Sequence, residues 1–401
     1  MYLLFCLSIR KINGEKEGEA ILTAKKEDGT IITLSNEMEK EQLRDWRKKV
    51  NFYCPQCDDP VHLKVGDIVI PHFAHENQAS CTASFSEGES QIHLEGKRQL
   101  YEFFLKNEQE VQLEPYFSAL SQRPDLLVTT NSNQVPIEFQ CSTIPVNIIK
   151  QRTNGYLSAG MRPIWLLLTP AKIRSLPQGV CAYDFSKFHE SFFTYQTPEG
   201  LVFLTYNPQT KQFHYFSNLI HISGKRYIGI HRVLPIKMQT FPFARPKTAT
   251  SNELNEYVKI YSANRIKFLN SRVLLNRKGI NDPFLRCCYE LRIHPLELPS
   301  WIGLPVPFST EFREHSCEWQ IRLLRFLMRK GLRISNLSKQ LAKTFIRELD
   351  HPSYNQVKGC IAYRDLLLSA GIDSLQDVGD FSDEKIVQLF AERLLAKRNE
   401  D

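Results

Sequence analysis

The chain has 401 residues, a formal net charge of +7 and 42% hydrophobic residues, which fits a globular protein of two or three domains and excludes a disordered one. No apolar run is long enough to cross a bilayer. The apolar opening at residues 1–9 lacks the flanks of a signal peptide, and the ten cysteines form no small secreted disulfide framework. We therefore expect a cytoplasmic protein in which this opening is part of the mature chain or a loose N-terminal extension.

The first part of the chain is predicted to hold a hairpin and a helix. Two short strands within residues 19–34 flank Glu27-Asp28-Gly29, a good turn signal. Residues 36–48 follow a helical pattern that turns Leu43 and Trp46 inward.

Helices and strands then interleave. The pattern predicts a helix from residue 87, strands at residues 111–117, 125–129 and 135–140, a helix at 146–159 and a strand at 163–168. This αβββαβ order predicts a mixed α/β (α+β) fold.

The remainder is predicted to be β-rich from residue 182 to 236 and helical after a proline-punctuated stretch, with helices at residues 318–329 and 384–397. Four domains follow from these changes in pattern: a hairpin, helix and Cys/His domain at 1–86, the αβββαβ core at 87–180, a β-rich extension and linker at 181–247, and a helical domain at 248–401.

A cluster of five potential metal ligands lies within residues 54–81. Its members are Cys54, Cys57, His72, His75 and Cys81. Thiolates on a tight turn, met later by imidazole and thiolate, match the tetrahedral nitrogen and sulfur preference of Zn²⁺. Since four ligands close such a site, we predict a structural zinc site of the two CxxC cysteines with His75 and Cys81, and His72 as the substitute or as a partner of a ligand. Reduced core cysteines with incidental histidines are the alternative.

Two acidic residues are candidates for a second metal site. Asp125 opens one predicted strand and Glu138 lies near the end of the next, on the same side as Gln140. If the two strands form a hairpin, both carboxylates can grip Mg²⁺ or Mn²⁺ beside a phosphodiester. A turn aspartate and an exposed strand glutamate are the alternative.

The two helices that flank these strands carry polar residues at helical spacing. Glu89, His93 and Lys97 share one face of the first helix, and Arg152 and Tyr156 share one face of the second. We take Glu89 and Lys97 as further catalytic candidates and Arg152 and Tyr156 as candidate nucleic-acid contacts. Solvated surface stripes are the alternative on each helix.

Several ordered motifs resemble the competence protein CoiA family. The matching strings are Tyr53-Cys54-Pro55-Gln56-Cys57, Pro71-His72-Phe73-Ala74-His75, His93-Leu94-Glu95-Gly96-Lys97, Arg123-Pro124-Asp125, Ile137-Glu138-Phe139-Gln140-Cys141-Ser142 and Pro163-Ile164-Trp165-Leu166-Leu167. The resemblance implies a PD-(D/E)XK nuclease-like fold and a role in natural transformation, in processing or recombination of incoming single-stranded DNA. It also implies that Asp125 and Glu138 hold the catalytic metal.

Gln140 departs from the resemblance, because the superfamily has lysine there to orient the attacking hydroxide and offset charge. Lys97 or Lys150 could supply that charge from a helix. The first hypothesis is therefore a metal-dependent deoxyribonuclease. The second is a catalytically weak or inactive DNA-binding protein that mediates recombination with other competence or recombination proteins.

Positive charge is concentrated between Gly224 and Arg292, with fourteen Lys/Arg against four Asp/Glu. Such clustering favours a polyanion partner, with an ordinary solvated basic surface as the alternative, and we take Lys225 and Arg226 as candidate DNA contacts. The aromatic residues Tyr227, Phe241 and Phe243 could stack on bases, or they could belong to the core.

Overall fold

The computed structural model describes residues 20–35, 37–75, 90–131, 133–174, 177–196, 200–312, 314–349, 351–377 and residue 385. The chain divides into two compact units. Unit 1 comprises Met1–Thr169, Thr205–Phe213 and Leu234–Ala244, and unit 2 comprises Pro170–Leu204, His214–Val233 and Arg245–Asp401. The apolar opening and, apart from Lys385, the helix predicted at 384–397 lie outside the described residues. The four-domain division remains a prediction.

Unit 1 begins with a six-stranded sheet and one helix. The strands are β1 (Ala20–Ile21), β2 (Thr23–Lys26), β3 (Ile31–Thr33), β4 (Phe52–Tyr53), β5 (Pro60–Lys64) and β6 (His72–His75), and the helix is α1 (Lys40–Lys49). They pair in the order β1-β6-β5-β4-β2-β3. The predicted turn between β2 and β3 is confirmed, and Gly29 takes the left-handed φ of 84° that the turn requires. Phe52 and Phe73 pack with ring centroids 4.9 Å apart in the core of this sheet.

The rest of unit 1 confirms the αβββαβ order. The elements are α2 (Gln91–Lys106), β7 (Glu110–Leu113), β8 (Leu126–Thr130), β9 (Asn133–Gln140), α3 (Val146–Ser158) and β10 (Ile164–Leu168). Strands β7, β8 and β9 are antiparallel neighbours, whereas β9 and β10 run parallel across the α3 connection. The fold is therefore mixed α/β, as predicted.

The two helices pack on opposite faces of this sheet. A Cβ added at Gly96 of α2 would lie 2.0 Å from the ring of Phe139, so glycine lets the helix approach this face of β9 closely. Side chains alternate along a strand, so the neighbouring Glu138 points the other way, where it contacts α3. The sheet end that carries Glu138 therefore lies between polar residues of α2 and of α3.

Two later segments of the chain complete the core of unit 1. Residues Thr205 and Tyr206 pair in parallel with Leu167 and Leu168 of β10. Phe103 and Phe104 of α2 pack in an aromatic cluster with Phe213, Phe241 and Phe243.

Unit 2 contains the β-rich region and the later helices. The strands of this region are β11 (Gly179–Asp184), β12 (Thr194–Gln196), β13 (Gly200–Asn207), β14 (Gln212–Ser223) and β15 (Arg226–Pro235). Strands β13, β14 and β15 also contribute residues to unit 1. The strand order is β11-β15-β14-β13, and β12 pairs with β13. The short helices α4 (Ala171–Arg174) and α5 (Lys187–Glu190) belong to the same region.

The helical part of unit 2 is built from longer elements. The helices are α6 (Ser251–Leu274), α7 (Pro283–Glu290), α8 (Ser316–Arg329), α9 (Lys339–Ile346) and α10 (Tyr354–Ser369). Single 3₁₀ turns occur at Ile236–Met238 in unit 1 and at Gly279–Asn281, Pro295–Glu297, Ser309–Glu311 and Ile334–Asn336 in unit 2. Helix α8 confirms the prediction at 318–329, and its Trp319 stacks on Phe312 at 4.1 Å in a buried core. None of the helices that the structure describes is both long and apolar enough to span a bilayer.

Candidate functional sites

The CxxC turn and strand β6 bring three potential metal ligands together. The ligand atoms of Cys54, Cys57 and His75 all lie within 4.8 Å of one another. The turn is closed by the N–H of Asp58, which donates to the carbonyl of Cys54 at 3.0 Å, and Asp58 takes a left-handed φ of 59°. The N–H of Gln56 points at the sulfur of Cys54 at 3.4 Å. This arrangement can hold a metal ion that prefers nitrogen and sulfur ligands.

The chemistry of Cys54 fits a metal ligand. Burial raises the pKa of a thiol, but hydrogen bonds from His75 and from the backbone N–H groups of Cys57 and Gln56 outweigh it and lower the pKa of Cys54 to about 7. The thiolate, which is the form that binds metal, is therefore accessible near neutral pH.

The structure separates the two histidines of the predicted set. His72 and His75 are three residues apart on one strand, so their side chains point to opposite faces. The Nε2 of His75 lies 3.4 Å from the sulfur of Cys57, whereas Nδ1 of His72 pairs with the carbonyl of Ile70 at 2.8 Å. Cys81, the predicted fourth ligand, lies outside the described residues.

Asp125 and Glu138 lie at the same end of the β8 and β9 pair. Leu126, the first residue of β8, pairs with Ile137, so Asp125 directly precedes β8 where Glu138 follows Ile137 on β9. Each carboxylate takes its partners from a different helix. The part of the chain that the structure describes has no set of three metal-ligand atoms within 4.8 Å around either carboxylate.

Asp125 is bound on the α2 side. Its Oδ2 lies 3.3 Å from Nε2 of His93 and accepts the N–H of Phe139 at 2.7 Å, and its Oδ1 lies 3.9 Å from Nζ of Lys97. Burial raises the pKa of a carboxyl, but the charges of His93 and Lys97 and these hydrogen bonds hold the pKa of Asp125 well below its ordinary value. Asp125 is therefore ionised at neutral pH.

Glu138 is bound on the α3 side. Its Oε1 accepts hydrogen bonds from the guanidinium of Arg152 and, at 2.5 Å, from the hydroxyl of Tyr156. Burial and the charge of Asp125 raise the pKa of Glu138, against the lowering effect of Arg152 and Tyr156. The pKa values of the two carboxyl groups thus shift in opposite directions, because Asp125 lies beside His93 and Lys97 while Glu138 is buried near the charge of Asp125.

The structure also shows where the candidate lysines lie. The amide of Gln140 donates to the carbonyl and the hydroxyl of Ser142, at 3.0 and 3.2 Å. Lys150 is exposed, whereas Lys97 is fully buried beside Asp125. Of the two lysines proposed to replace the missing charge, Lys97 is the one near the carboxylates. Glu89, the remaining catalytic candidate, lies outside the described residues.

Glu114 also contacts this site, through Lys97, although no sequence motif indicated it. It follows directly after β7 and forms a buried ion pair with Lys97. An acidic residue at the end of a short strand is a common pattern, so the sequence offered no signal specific enough to select it.

The residues predicted to contact nucleic acid have different environments. Arg152 and the fully buried Tyr156 both bind Glu138. Lys225 and Arg226 are exposed beside the turn between β14 and β15, where Arg226 pairs with the exposed Asp184 at 3.1 Å. Their roles in DNA binding remain predictions.

Part of the basic stretch at 224–292 has structural partners. Arg265 donates to the carbonyls of Leu298, Pro299 and Ile302, at 2.8 Å each. Tyr227 is fully buried, so the structure places it in the core rather than on a base-stacking surface.

Comparison with known proteins identifies the family of these domains. Residues 35–84 match the family described as "Competence protein CoiA, N-terminal domain", and residues 89–246 match "Competence protein CoiA, nuclease-like domain". A relative from Bacillus subtilis (strain 168), "Competence protein CoiA", is 29% identical over 288 residues, which cover 71% of this chain and 74% of the relative. No solved structure matches the chain.

Proposed function

The chain belongs to the competence protein CoiA family, and we propose that it is a metal-dependent deoxyribonuclease that processes incoming DNA, single-stranded in particular, during natural transformation and recombination. The observation that carries the proposal is that Asp125 accepts the N–H of Phe139, the residue next to Glu138, so that both acids lie at one end of the β8 and β9 pair in a nuclease-like domain. The proposal places the protein in the cytoplasm, where it would meet DNA and competence or recombination proteins.

The side chains around the carboxylates have separate tasks in this proposal. Asp125 and Glu138 would hold Mg²⁺ or Mn²⁺, since hard carboxylate oxygens suit these ions and two carboxylates suffice when water and phosphate complete the shell. When bound, the ion supplies an activated water and offsets charge on the phosphate. His93 and the N–H of Phe139 orient Asp125, while Arg152 and Tyr156 orient Glu138.

Lys97 supplies the positive charge that the superfamily usually places at the position of Gln140. Its Nζ lies 3.9 Å from Oδ1 of Asp125, on the helix that packs against β9. A cation at this position favours the charge that develops on a phosphate in the transition state.

The test measures DNA cleavage by the purified full-length chain. Single- and double-stranded DNA are incubated with Mg²⁺ or Mn²⁺, and Asp125→Asn and Glu138→Gln are compared with wild type. We expect metal-dependent cleavage that falls below detection in both variants. Asp45→Asn is the matched control, because this exposed residue forms only a surface ion pair with Lys49 and its loss costs little stability.

Retained cleavage by a folded Asp125→Asn protein would overturn the assignment. Each variant is checked by thermal unfolding, so that loss of activity is separated from loss of fold. Cleavage that is equally strong without a divalent ion would also contradict the proposal.

A second function is favoured by the position of Gln140. Its amide is bound to Ser142 and carries no charge, which suits a nuclease-like domain that binds DNA without cutting it. This alternative predicts salt-sensitive DNA binding, weakened by Lys225→Gln and Arg226→Gln, in a protein that shows no cleavage with either ion.

The Cys54, Cys57 and His75 cluster is assigned to a structural zinc ion in this proposal. Cys81 would complete the four ligands, and a zinc ion saturated by protein ligands has no open position for a reacting water.

A further inference from the structure

We infer that Glu114 is a positioning residue for the Asp125 end of the proposed nuclease site, and that Leu22 and Thr23, where β1 passes into β2 in the N-terminal sheet, hold Glu114 in place. The inference rests on the proposed function. It adds that the N-terminal sheet is a working part of that site.

Glu114 is tied to the site by two contacts. Its carboxylate forms a buried ion pair with Lys97, whose ammonium also lies 3.9 Å from Oδ1 of Asp125. Its backbone N–H donates to the carbonyl of Asp125 at 3.0 Å. Glu114 thus fixes both the cation beside Asp125 and the main chain from which Asp125 projects.

The other oxygen of the same carboxylate binds the N-terminal sheet. Oε2 of Glu114 accepts the N–H of Leu22 at 2.9 Å, the N–H of Thr23 at 3.2 Å and the hydroxyl of Thr23 at 3.0 Å. All of these groups are buried, and three donors on one carboxylate oxygen define its position tightly. Leu22 and Thr23 precede the match to the family's N-terminal domain, which begins at residue 35.

The backbone of Glu114 supports the same conclusion. Its φ of 51° lies in the left-handed region, which residues other than glycine rarely adopt. Such conformations persist where the surroundings impose them, and they cluster at functional sites. Here the imposing contacts are those to Thr23, Lys97 and Asp125.

The charge of Glu114 has a specific consequence for metal binding. The fully buried ammonium of Lys97 is shared between Glu114 and Asp125. If Glu114 loses its charge, it no longer offsets the pull of this ammonium on Asp125, and the ammonium competes more strongly with a divalent cation for that carboxylate. Removing the charge should therefore weaken metal binding rather than DNA binding.

A structural route also runs from this carboxylate to the Cys/His cluster. Ile21 pairs with Phe73 on β6, the strand that carries His75, and Leu22 follows Ile21 directly. The Cys/His cluster and the proposed nuclease site are thus joined through β6, β1, Leu22 and Glu114.

The experiment uses the full-length, zinc-loaded chain. Mn²⁺ affinity is measured by electron paramagnetic resonance, and kcat and KM are measured on single-stranded DNA. We expect Glu114→Gln to weaken Mn²⁺ binding about tenfold and to lower kcat similarly at unchanged KM for DNA. Thr23→Val, which removes one donor and leaves no charge unpaired, should show the same pattern at about threefold.

Two further variants separate positioning from stability. Glu110→Gln on β7, the strand that Glu114 follows, is the matched control, because Glu110 is exposed, and it should behave as wild type. Glu114→Asp keeps the charge with a shorter reach and should retain more Mn²⁺ affinity than Glu114→Gln. If Glu114→Gln does not fold, Thr23→Val decides the question.

The outcomes distinguish this inference from the proposed function. Wild-type protein that binds Mn²⁺ without cutting DNA would contradict the nuclease proposal, and Mn²⁺ affinity would still decide the role of Glu114. If wild type binds no Mn²⁺, amide hydrogen exchange of β1 and α2 is compared between wild type and the two variants. Exchange that is unchanged in both Glu114→Gln and Thr23→Val overturns the inference. Wild-type Mn²⁺ affinity and kcat in these two variants would overturn it as well.

Discussion

The backbone N–H of Phe139 donates to Oδ2 of Asp125 at 2.7 Å, so Asp125 is held by the strand that carries Glu138. Two adjacent residues of β9 therefore define the site. The main-chain N–H of Phe139 holds Asp125, and the side chain of Glu138 provides the second carboxylate. The spacing of the two acids is consequently controlled by the β8 and β9 register rather than by flexible loops.

Replacing Gln140 by lysine tests whether the positive charge is already supplied. We expect Gln140→Lys to cleave single-stranded DNA within about threefold of wild type, because Lys97 lies beside Asp125 and the side chain at 140 faces Ser142. The measurement is kcat under saturating Mn²⁺. The exposed Lys150→Gln is the control and should also match wild type. A rise of about 100-fold in Gln140→Lys would show that the charge is missing from the natural protein.

The two residues that bind Glu138 should differ in their effect on stability. Arg152→Met leaves a buried carboxylate without its counter-charge, and we expect it to lower the free energy of unfolding by about 3 kcal/mol. Tyr156→Phe removes one hydrogen bond from the same carboxylate and should cost about 1 kcal/mol. Urea unfolding measures both changes. The exposed Arg162→Met should cost less than about 0.5 kcal/mol, and an equal loss in Arg152→Met and Arg162→Met would contradict this account.

Metal analysis tests the Cys/His cluster. We expect about one zinc ion per purified chain, lost in Cys54→Ser, Cys57→Ser and His75→Ala because each removes a ligand from a site that needs four. Cys141→Ser lies outside the cluster and should keep its zinc. Comparing Cys81→Ser with His72→Ala identifies the fourth ligand, and we expect the loss in Cys81→Ser. Full zinc content in all three cluster variants would eliminate the site.

Acid sensitivity should be reduced by His315→Asn. Burial and the nearby charges of Arg265, His221 and Arg272 lower the pKa of His315 to about 3, whereas the ordinary value is about 6.5. Between these values the unfolded chain binds one more proton than the folded chain, so stability is lost as pH falls below about 6.5. Asparagine keeps a cap acceptor at the start of α8 and does not titrate.

The expected difference is measurable by chemical unfolding at pH 7 and pH 5. The drop in the free energy of unfolding over this interval should be about 2 kcal/mol smaller in His315→Asn than in wild type. The exposed His351→Asn is the control and should leave the drop unchanged. Identical drops in wild type and His315→Asn would contradict the assigned shift.

The order of helices and strands in the αβββαβ core could be predicted because period-two and helical patterns are properties of short stretches of sequence. The strand predicted at 111–117 nevertheless ends at Leu113. The left-handed Glu114 interrupts it, and the contacts that hold this conformation come from distant parts of the chain. Local propensity carries no information about them.

The amino-acid sequence by itself determined the CxxC turn, the positions of Asp125 at the start of one strand and of Glu138 near the end of the next, and the helix faces that carry His93 with Lys97 and Arg152 with Tyr156. Only the tertiary structure decided that His75 rather than His72 meets the cysteines, that Arg152 and Tyr156 bind Glu138, and that Lys97 rather than Lys150 accompanies Asp125. It alone introduced Glu114, whose partners Leu22 and Thr23 are 92 and 91 residues away. Spacing along one element fixes which side chains share a face, whereas contacts between elements depend on how sheets and helices pack.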